Sequence, residues 1–128
     1  FPANWDQPHV FQGNLHFEMQ NGFGISLYGS LASGFPYTRS TFDPNGQRSP
    51  TVHQLDLNLF KNLDLFGFKQ QIFIQVLNVT NDRNVWWVYA DSGVPSTDAS
   101  EATSYDYTDN PSMYGPGRTI RLGIRLWN

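Results

Sequence analysis

The 128-residue chain reads as an all-β protein, an antiparallel meander supplying five strands to the wall of a transmembrane β-barrel. Three observations predict it. Apolar and polar residues alternate with a period of two in five segments, the connections between the segments alternate short and long, and aromatic residues collect at the segment ends. A period of two puts alternate side chains on opposite faces of a strand, so the pattern describes a sheet with one apolar and one polar face.

In chain order, residues 9–20 set Phe11, Leu15, Phe17 and Met19, with Gly13 in their column, against Gln12, Asn14, His16 and Glu18. Residues 23–33 set Phe23, Ile25, Leu27 and Leu31 against Gly24, Ser26, Tyr28 and Ser30. Residues 53–61 set Leu55, Leu57 and Leu59 against Gln54, Asp56 and Asn58, and residues 68–79 set Ile72, Ile74 and Val76 against Gln71, Phe73 and Gln75. In the closing segment, residues 117–128, Ile120, Leu122, Ile124 and Leu126 oppose Thr119, Arg121, Gly123 and Arg125. Two arginines on the inward face of a soluble strand are costly to bury. An apolar column in lipid and an arginine column in a wet lumen satisfy every residue at once, which is the pattern of a transmembrane barrel strand. Each segment is close to the roughly 9 to 11 residues that a tilted strand needs to cross a bilayer. Phe60, Phe73 and Leu77 interrupt the polar columns.

Asn21-Gly22 is a tight hairpin signal and residues 62–67 form a short turn, whereas residues 34–50 and 80–116 are long connections rich in Pro, Gly, Ser, Thr and Asp. Short turns on one side and long loops on the other are the two ends of an outer-membrane barrel. Phe23, Phe60, Phe66, Phe68 and Trp127 fall at the short-turn end; Trp5, Phe35, Tyr37, Trp86, Trp87 and Tyr89 fall at the long-loop end. Two such girdles are what interfacial burial of amphipathic rings produces.

A mean hydropathy of −0.45 and the lack of a long apolar run exclude a transmembrane helix, while a barrel hides its apolar content in alternate positions. The absence of cysteine excludes a disulfide framework, a thiol nucleophile and a zinc-thiolate site. No Ser/His/Asp elbow, phosphate-cradling glycine loop or paired-acid motif is present, so no enzyme, cofactor or metal is expected. His9, His16 and His53 are dispersed and suit hydrogen bonding at the lumen or rim. The chain opens within what reads as a loop, shows no signal peptide and has an odd number of strands, where bacterial single-chain barrels have an even number of at least about eight. It is therefore expected to be a fragment of a longer protein.

Five runs carry a family resemblance: Trp5-Asp6-Gln7-Pro8-His9-Val10-Phe11, Gln20-Asn21-Gly22-Phe23-Gly24, Ser33-Gly34-Phe35-Pro36-Tyr37, Leu77-Asn78-Val79-Thr80-Asn81, and Tyr114-Gly115-Pro116-Gly117-Arg118 leading into the last strand. In order and spacing they resemble the C-terminal end of a TonB-dependent outer-membrane receptor, although Pro8 stands where that family usually has Arg and the chain ends Trp127-Asn128 rather than on the aromatic. The resemblance covers essentially the whole chain. It implies that residues 1–128 are the last five strands of a barrel of about 22 strands. It further implies a plug domain and TonB contact outside this stretch, an outer-membrane location in a bacterium, and import of a scarce nutrient such as a siderophore, cobalamin or glycan. The expected partners are outer-membrane lipid, the protein's own N-terminal barrel and plug, TonB, and a surface protein or small-molecule ligand, with no nucleic acid.

Chemistry is expected to concentrate in residues 80–116. That loop holds Asp82, Asp91, Asp98, Glu101, Asp106 and Asp109, six of the eleven acids, against the single Arg83. Aromatics are interleaved with them. Rings beside carboxylates suit stacking on sugar rings with hydrogen bonds to hydroxyls, closure of the barrel mouth, or contact with a surface partner. Trp86, Trp87, Tyr89, Asp91, Asp98, Glu101, Tyr105, Asp106, Tyr107 and Asp109 are accordingly the candidate ligand-binding residues. Calcium is a lesser reading of the acids, since no EF-hand spacing exists, and a solvated loop over the rim is the bland one. The excess of acids tilts the expected ligand toward a neutral or cationic molecule. A soluble β-sandwich carbohydrate-binding module is the alternative to the receptor, its leucine columns packed on a second sheet.

Overall fold

The first two strands are β1 (Val10–Glu18) and β2 (Phe23–Ala32), joined by the Asn-Gly run. In the computed structural model, which describes residues 2–39, 43–89, 93–95 and 111–127, two short strands follow, β3 (Pro36–Tyr37) and β4 (Gln47–Arg48). Then come β5 (Val52–Leu65), β6 (Phe68–Leu77) and β7 (Thr119–Trp127). The protein is all-β. One sheet holds five strands in the order β1-β2-β5-β6-β7, so the five alternating segments form one meander in sequence order, and β3 and β4 make a second small sheet inside the first long connection. Among the described residues no helix is long and apolar enough to cross a membrane, which says nothing about strands.

By its contacts the chain divides into two compact units, one of Phe1–Phe11, Leu31–His53 and Arg83–Pro116, the other of Gln12–Ser30, Gln54–Asp82 and Gly117–Asn128. Most of the five-stranded sheet belongs to the second. Pairing of β6 with β7 sets Ile72 opposite Ile124, Ile74 opposite Leu122 and Val76 opposite Ile120, while Gln71 faces Arg125 and Gln75 faces Arg121. Pairing of β5 with β6 adds Leu57 opposite Val76 and Leu59 opposite Ile74. Register thus aligns the alternating columns into faces, as it must where one face is to be kept apolar.

In β6 the apolar column is open and the polar column half-buried, while β1 is exposed on both faces, β7 is largely so, and β2 and most of β5 are largely half-buried on both. Ile120, Leu122, Ile124 and Leu126 are 64, 76, 67 and 66% exposed, and Ile72 and Ile74 are exposed too. Across the sheet, on the polar side, Phe60 is among the most buried residues and Phe73, Gln71 and Gln75 are half-buried. The rings that interrupt the polar columns each lie over a glycine. A Cβ on Gly24 would stand 2.1 Å from Phe60 Cζ, and one on Gly123 would stand 2.4 Å from Phe73 Cζ. Such a ring covers the bare backbone of a neighbouring strand and pins the register. Phe60 also stacks on His16 at 5.7 Å between centroids, and His16 shares a hydrogen bond of 2.8 Å with Ser26 Oγ. Phe60 is therefore a buried packing residue and does not belong to the short-turn girdle. The Arg125 guanidinium lies 5.8 Å from the Phe73 centroid.

A row of hydrogen bonds crosses the polar face from cation to anion. Arg125 donates to Gln71 Oε1 at 3.4 Å, Gln71 donates to Asn62 Oδ1 at 2.9 Å, and Asn62 donates to Glu18 Oε1 at 2.8 Å. The two charges at its ends polarise the amides between them, which strengthens each bond.

Turn chemistry sets the strand ends. Gly22 N donates to Met19 O and Gly22 has φ +77, so Asn21-Gly22 closes a three-residue loop with its glycine in the left-handed region. β5 runs beyond the expected end at Lys61 to Leu65, and only Phe66-Gly67 turns, with φ +58 and +78. Both values positive make this a two-residue type I′ hairpin, which prefers Asn-Gly and here carries a phenylalanine that is 94% exposed. Left-handed backbone costs a non-glycine residue roughly 1–2 kcal/mol, a cost Asn largely avoids. Phe66→Asn should therefore stabilise the hairpin by about 1 kcal/mol in thermal unfolding in detergent. A fall in stability would mean that the ring contributes more than its backbone conformation costs.

β6 ends in a knot of asparagines. Asn78 and Asn81 have φ +53 and +59; Asn78 accepts from Asp82 N at 3.0 Å and donates to Asp82 O at 2.9 Å, and Asn81 Oδ1 accepts from Arg118 N at 2.9 Å. Asp56 accepts from Asn78 N at 2.8 Å. The Leu77-to-Asn81 run thus fixes the end of β6 to the approach of β7.

Candidate functional site

In the first unit, β3 pairs with β4 through Pro36 opposite Arg48 and Tyr37 opposite Gln47, and Ser49 N extends the pair by donating to Phe35 O at 2.9 Å. Gly34 has to be glycine, since a Cβ there would lie 1.7 Å from Ser49 O. The Arg48 guanidinium forms an ion pair with Asp6 and donates to Asp6 O at 2.8 Å and Gly34 O at 3.3 Å. With 35% and 41% of the side chains exposed, the ion pair itself contributes at most about 1 kcal/mol. The backbone acceptors do the positioning. Gln7 donates to Ser33 O at 2.8 Å and His9 N donates to Ser33 Oγ at 3.2 Å. The Trp5-to-Phe11 run and the Ser33-to-Tyr37 run are therefore tied side by side.

The Trp86-Trp87 pair is held from behind. Both backbone N–H groups donate to Met113 O, at 2.8 and 3.2 Å, just after a 3-10 turn at Pro111–Met113. Val85, buried at 8% exposure, bridges to Tyr114, and Gly115 N donates to Asn84 O at 2.8 Å. The Trp86 indole rests on Gly115, where a Cβ would meet Nε1 at 2.8 Å. The Tyr37 hydroxyl occupies the space beside Gly93, which has φ +74 and turns the chain back toward Tyr89. The Arg83 guanidinium stands 5.0 Å above the Tyr114 ring.

These elements enclose a half-open groove of about 700 Å³. Its walls are the rings of Trp5, Phe35, Tyr37, Trp86 and Trp87 with Pro36 and Val88, and its polar lining is Asn4, Thr38, Asn45 and Ser49. Among the described residues, no charged side chain lines it. Trp5, Trp86 and Trp87 are 79, 54 and 70% exposed. Asn45, at φ +57, is saturated: it donates to Pro2 O and to Asn4 Oδ1, both at 2.7 Å, and its backbone N–H donates to Thr38 Oγ1 at 3.0 Å. Ser49 is buried, and its hydroxyl has no hydrogen-bond partner.

Of the ten expected ligand-binding residues, Trp86 and Trp87 lie together in this groove. Tyr89 is outside its lining, in the turn that Gly93 closes. Asp91, Asp98, Glu101, Tyr105, Asp106, Tyr107 and Asp109 lie outside the described residues, and with them the calcium reading of the loop. Among the described residues no three acidic, histidine or cysteine side chains gather in a metal-holding cluster. Trp5, Phe35 and Tyr37 join the tryptophans, and the expectation for them was a place in the long-loop girdle. All five fall in the first unit, and their convergence on one groove was not legible in sequence.

Comparison with protein-family models, curated proteins and solved structures finds no match for this chain.

Proposed function

We propose that the five-stranded sheet is wall in a transmembrane β-barrel of the bacterial outer membrane, and that the chain is the C-terminal barrel portion of a TonB-dependent receptor importing a scarce nutrient. The observation that supports this reading is the open apolar face: Ile120, Leu122, Ile124, Leu126, Ile72 and Ile74 stand exposed together, opposite a face where Arg125, Gln71, Asn62 and Glu18 are hydrogen-bonded in a row and Phe60 is buried. Lipid is the cover that leaves the polar face wet and the apolar face dry. In this reading the edges of the sheet pair with further strands of a closed barrel, Phe66, Phe68 and Trp127 sit at one membrane interface, and the chain performs no catalysis of its own.

The soluble carbohydrate-binding sandwich draws support from the aromatic groove alone. The second sheet among the described residues has two strands of two residues, too small to cover five. Fractionation separates the readings. The protein containing this chain should sediment with outer membranes, require detergent for extraction, and migrate differently in gels when unheated. Release into buffer by a high-salt wash, with full solubility without detergent, would favour the sandwich.

A further inference from the structure

We infer that the groove around Trp86 and Trp87 binds the hydroxyl-rich rings of a neutral saccharide. This deepens the receptor reading by naming the class of cargo, and it rests on that reading for its role as a capture site.

Size, charge and hydrogen-bonding capacity point the same way. A volume of about 700 Å³ falls within the roughly 300–1,000 Å³ of sites that hold molecules larger than a single small ion or headgroup. An ionised ligand would find no counter-charge among the described lining residues, and burying an unpaired charge is costly. Cation–π attraction could offset that for a quaternary ammonium. Such a group needs a tight cage of rings, however, and would fill a small part of this groove. The lining also offers donors in excess. The indole N–H groups of Trp5 and Trp87 and the amide nitrogen of Asn4 donate to no described residue. A ligand with flat C–H faces and a rim of oxygen acceptors satisfies both: its faces lie on the negative faces of the rings, and its hydroxyls meet the donors. A pyranose chain has that chemistry. The backbone bonds to Met113 fix the main chain of both tryptophans and the contact with Gly115 seats the Trp86 ring, so part of the ordering is done before binding.

The test is titration of the full-length protein, in a sugar-free zwitterionic detergent, with a neutral glucan hexasaccharide, read by tryptophan fluorescence and calorimetry. Saturable binding is expected, weakened about tenfold or more by Trp87→Ala or Trp5→Ala, and also by Gly115→Val, which displaces the Trp86 indole without removing it. An acidic uronate oligomer of the same length should bind at least about tenfold more weakly. Lipopolysaccharide in place of the free oligosaccharide distinguishes a membrane source of the sugar from a soluble one. Binding of choline or a proline-rich peptide with none of the neutral oligosaccharide would overturn the inference, as would saccharide binding unchanged in all three variants. Gel mobility of the unheated protein in the same samples keeps the two claims apart. A folded barrel that ignores every saccharide refutes the groove assignment alone, and a soluble protein that binds one refutes the receptor reading alone.

Discussion

Leu122→Arg is expected to destabilise the protein in a lipid bilayer by about 2–4 kcal/mol, and Arg121→Gln, one residue away, to change stability little. Leu122 is 76% exposed and paired with Ile74 in the middle of the open apolar face. In water, replacing such an exposed leucine by arginine would fall within about ±0.5 kcal/mol, because nothing is buried and nothing is lost. The size of the effect therefore reports what covers the face. Folding titrations in vesicles give the number for both variants. Similar small effects from the two substitutions would contradict a lipid-facing column.

Gly24→Val should cost about 1–3 kcal/mol, although valine is the better strand former. The new Cβ would need the place of the Phe60 ring, 2.1 Å away, and that ring is buried and stacked on His16. Gly13→Val is the control, since a Cβ there meets nothing within 4 Å. Denaturant unfolding in detergent should show Gly24→Val destabilised and Gly13→Val neutral or better. Adding Phe60→Ala to Gly24→Val should recover part of the loss, because the two residues share one space. Equal behaviour of the two glycine variants would mean that Phe60 does not pin β2 to β5.

Strand identity and order were legible because one simple signal, alternation, repeats in every segment of the sheet. Facing columns such as Ile72 with Ile124 and Gln71 with Arg125 follow from it once the turns set the register. What lay beyond the local pattern was anything decided across strands. Phe60 and Phe73 read as interruptions since their partners, Gly24 and Gly123, are distant in sequence. β5 overran its expected end because Leu63 and Leu65 continue the alternation and the left-handed position falls to Phe66, a residue that does not announce a type I′ turn. β3 and β4 are two residues each, too short to show a period, and their pairing rests on Arg48 reaching Asp6 and Gly34. The groove draws on residues 4–5, 35–38, 45, 49 and 86–88, so composition revealed its rings and only the fold brought them together.

The central claim is that one face of β7 meets lipid and the other meets water. This chain contains no cysteine, so with any cysteine elsewhere in the full-length protein replaced, single cysteines can be placed at each position from 119 to 126 and labelled with a nitroxide in lipid vesicles. Collision rates with oxygen, which concentrates in the bilayer, and with a water-soluble nickel chelate then report the surroundings of each site. The account predicts alternation with a period of two: oxygen-rich surroundings at 120, 122, 124 and 126, nickel-accessible ones at 119, 121, 123 and 125. Nickel access at all eight sites, or a period other than two, would contradict it.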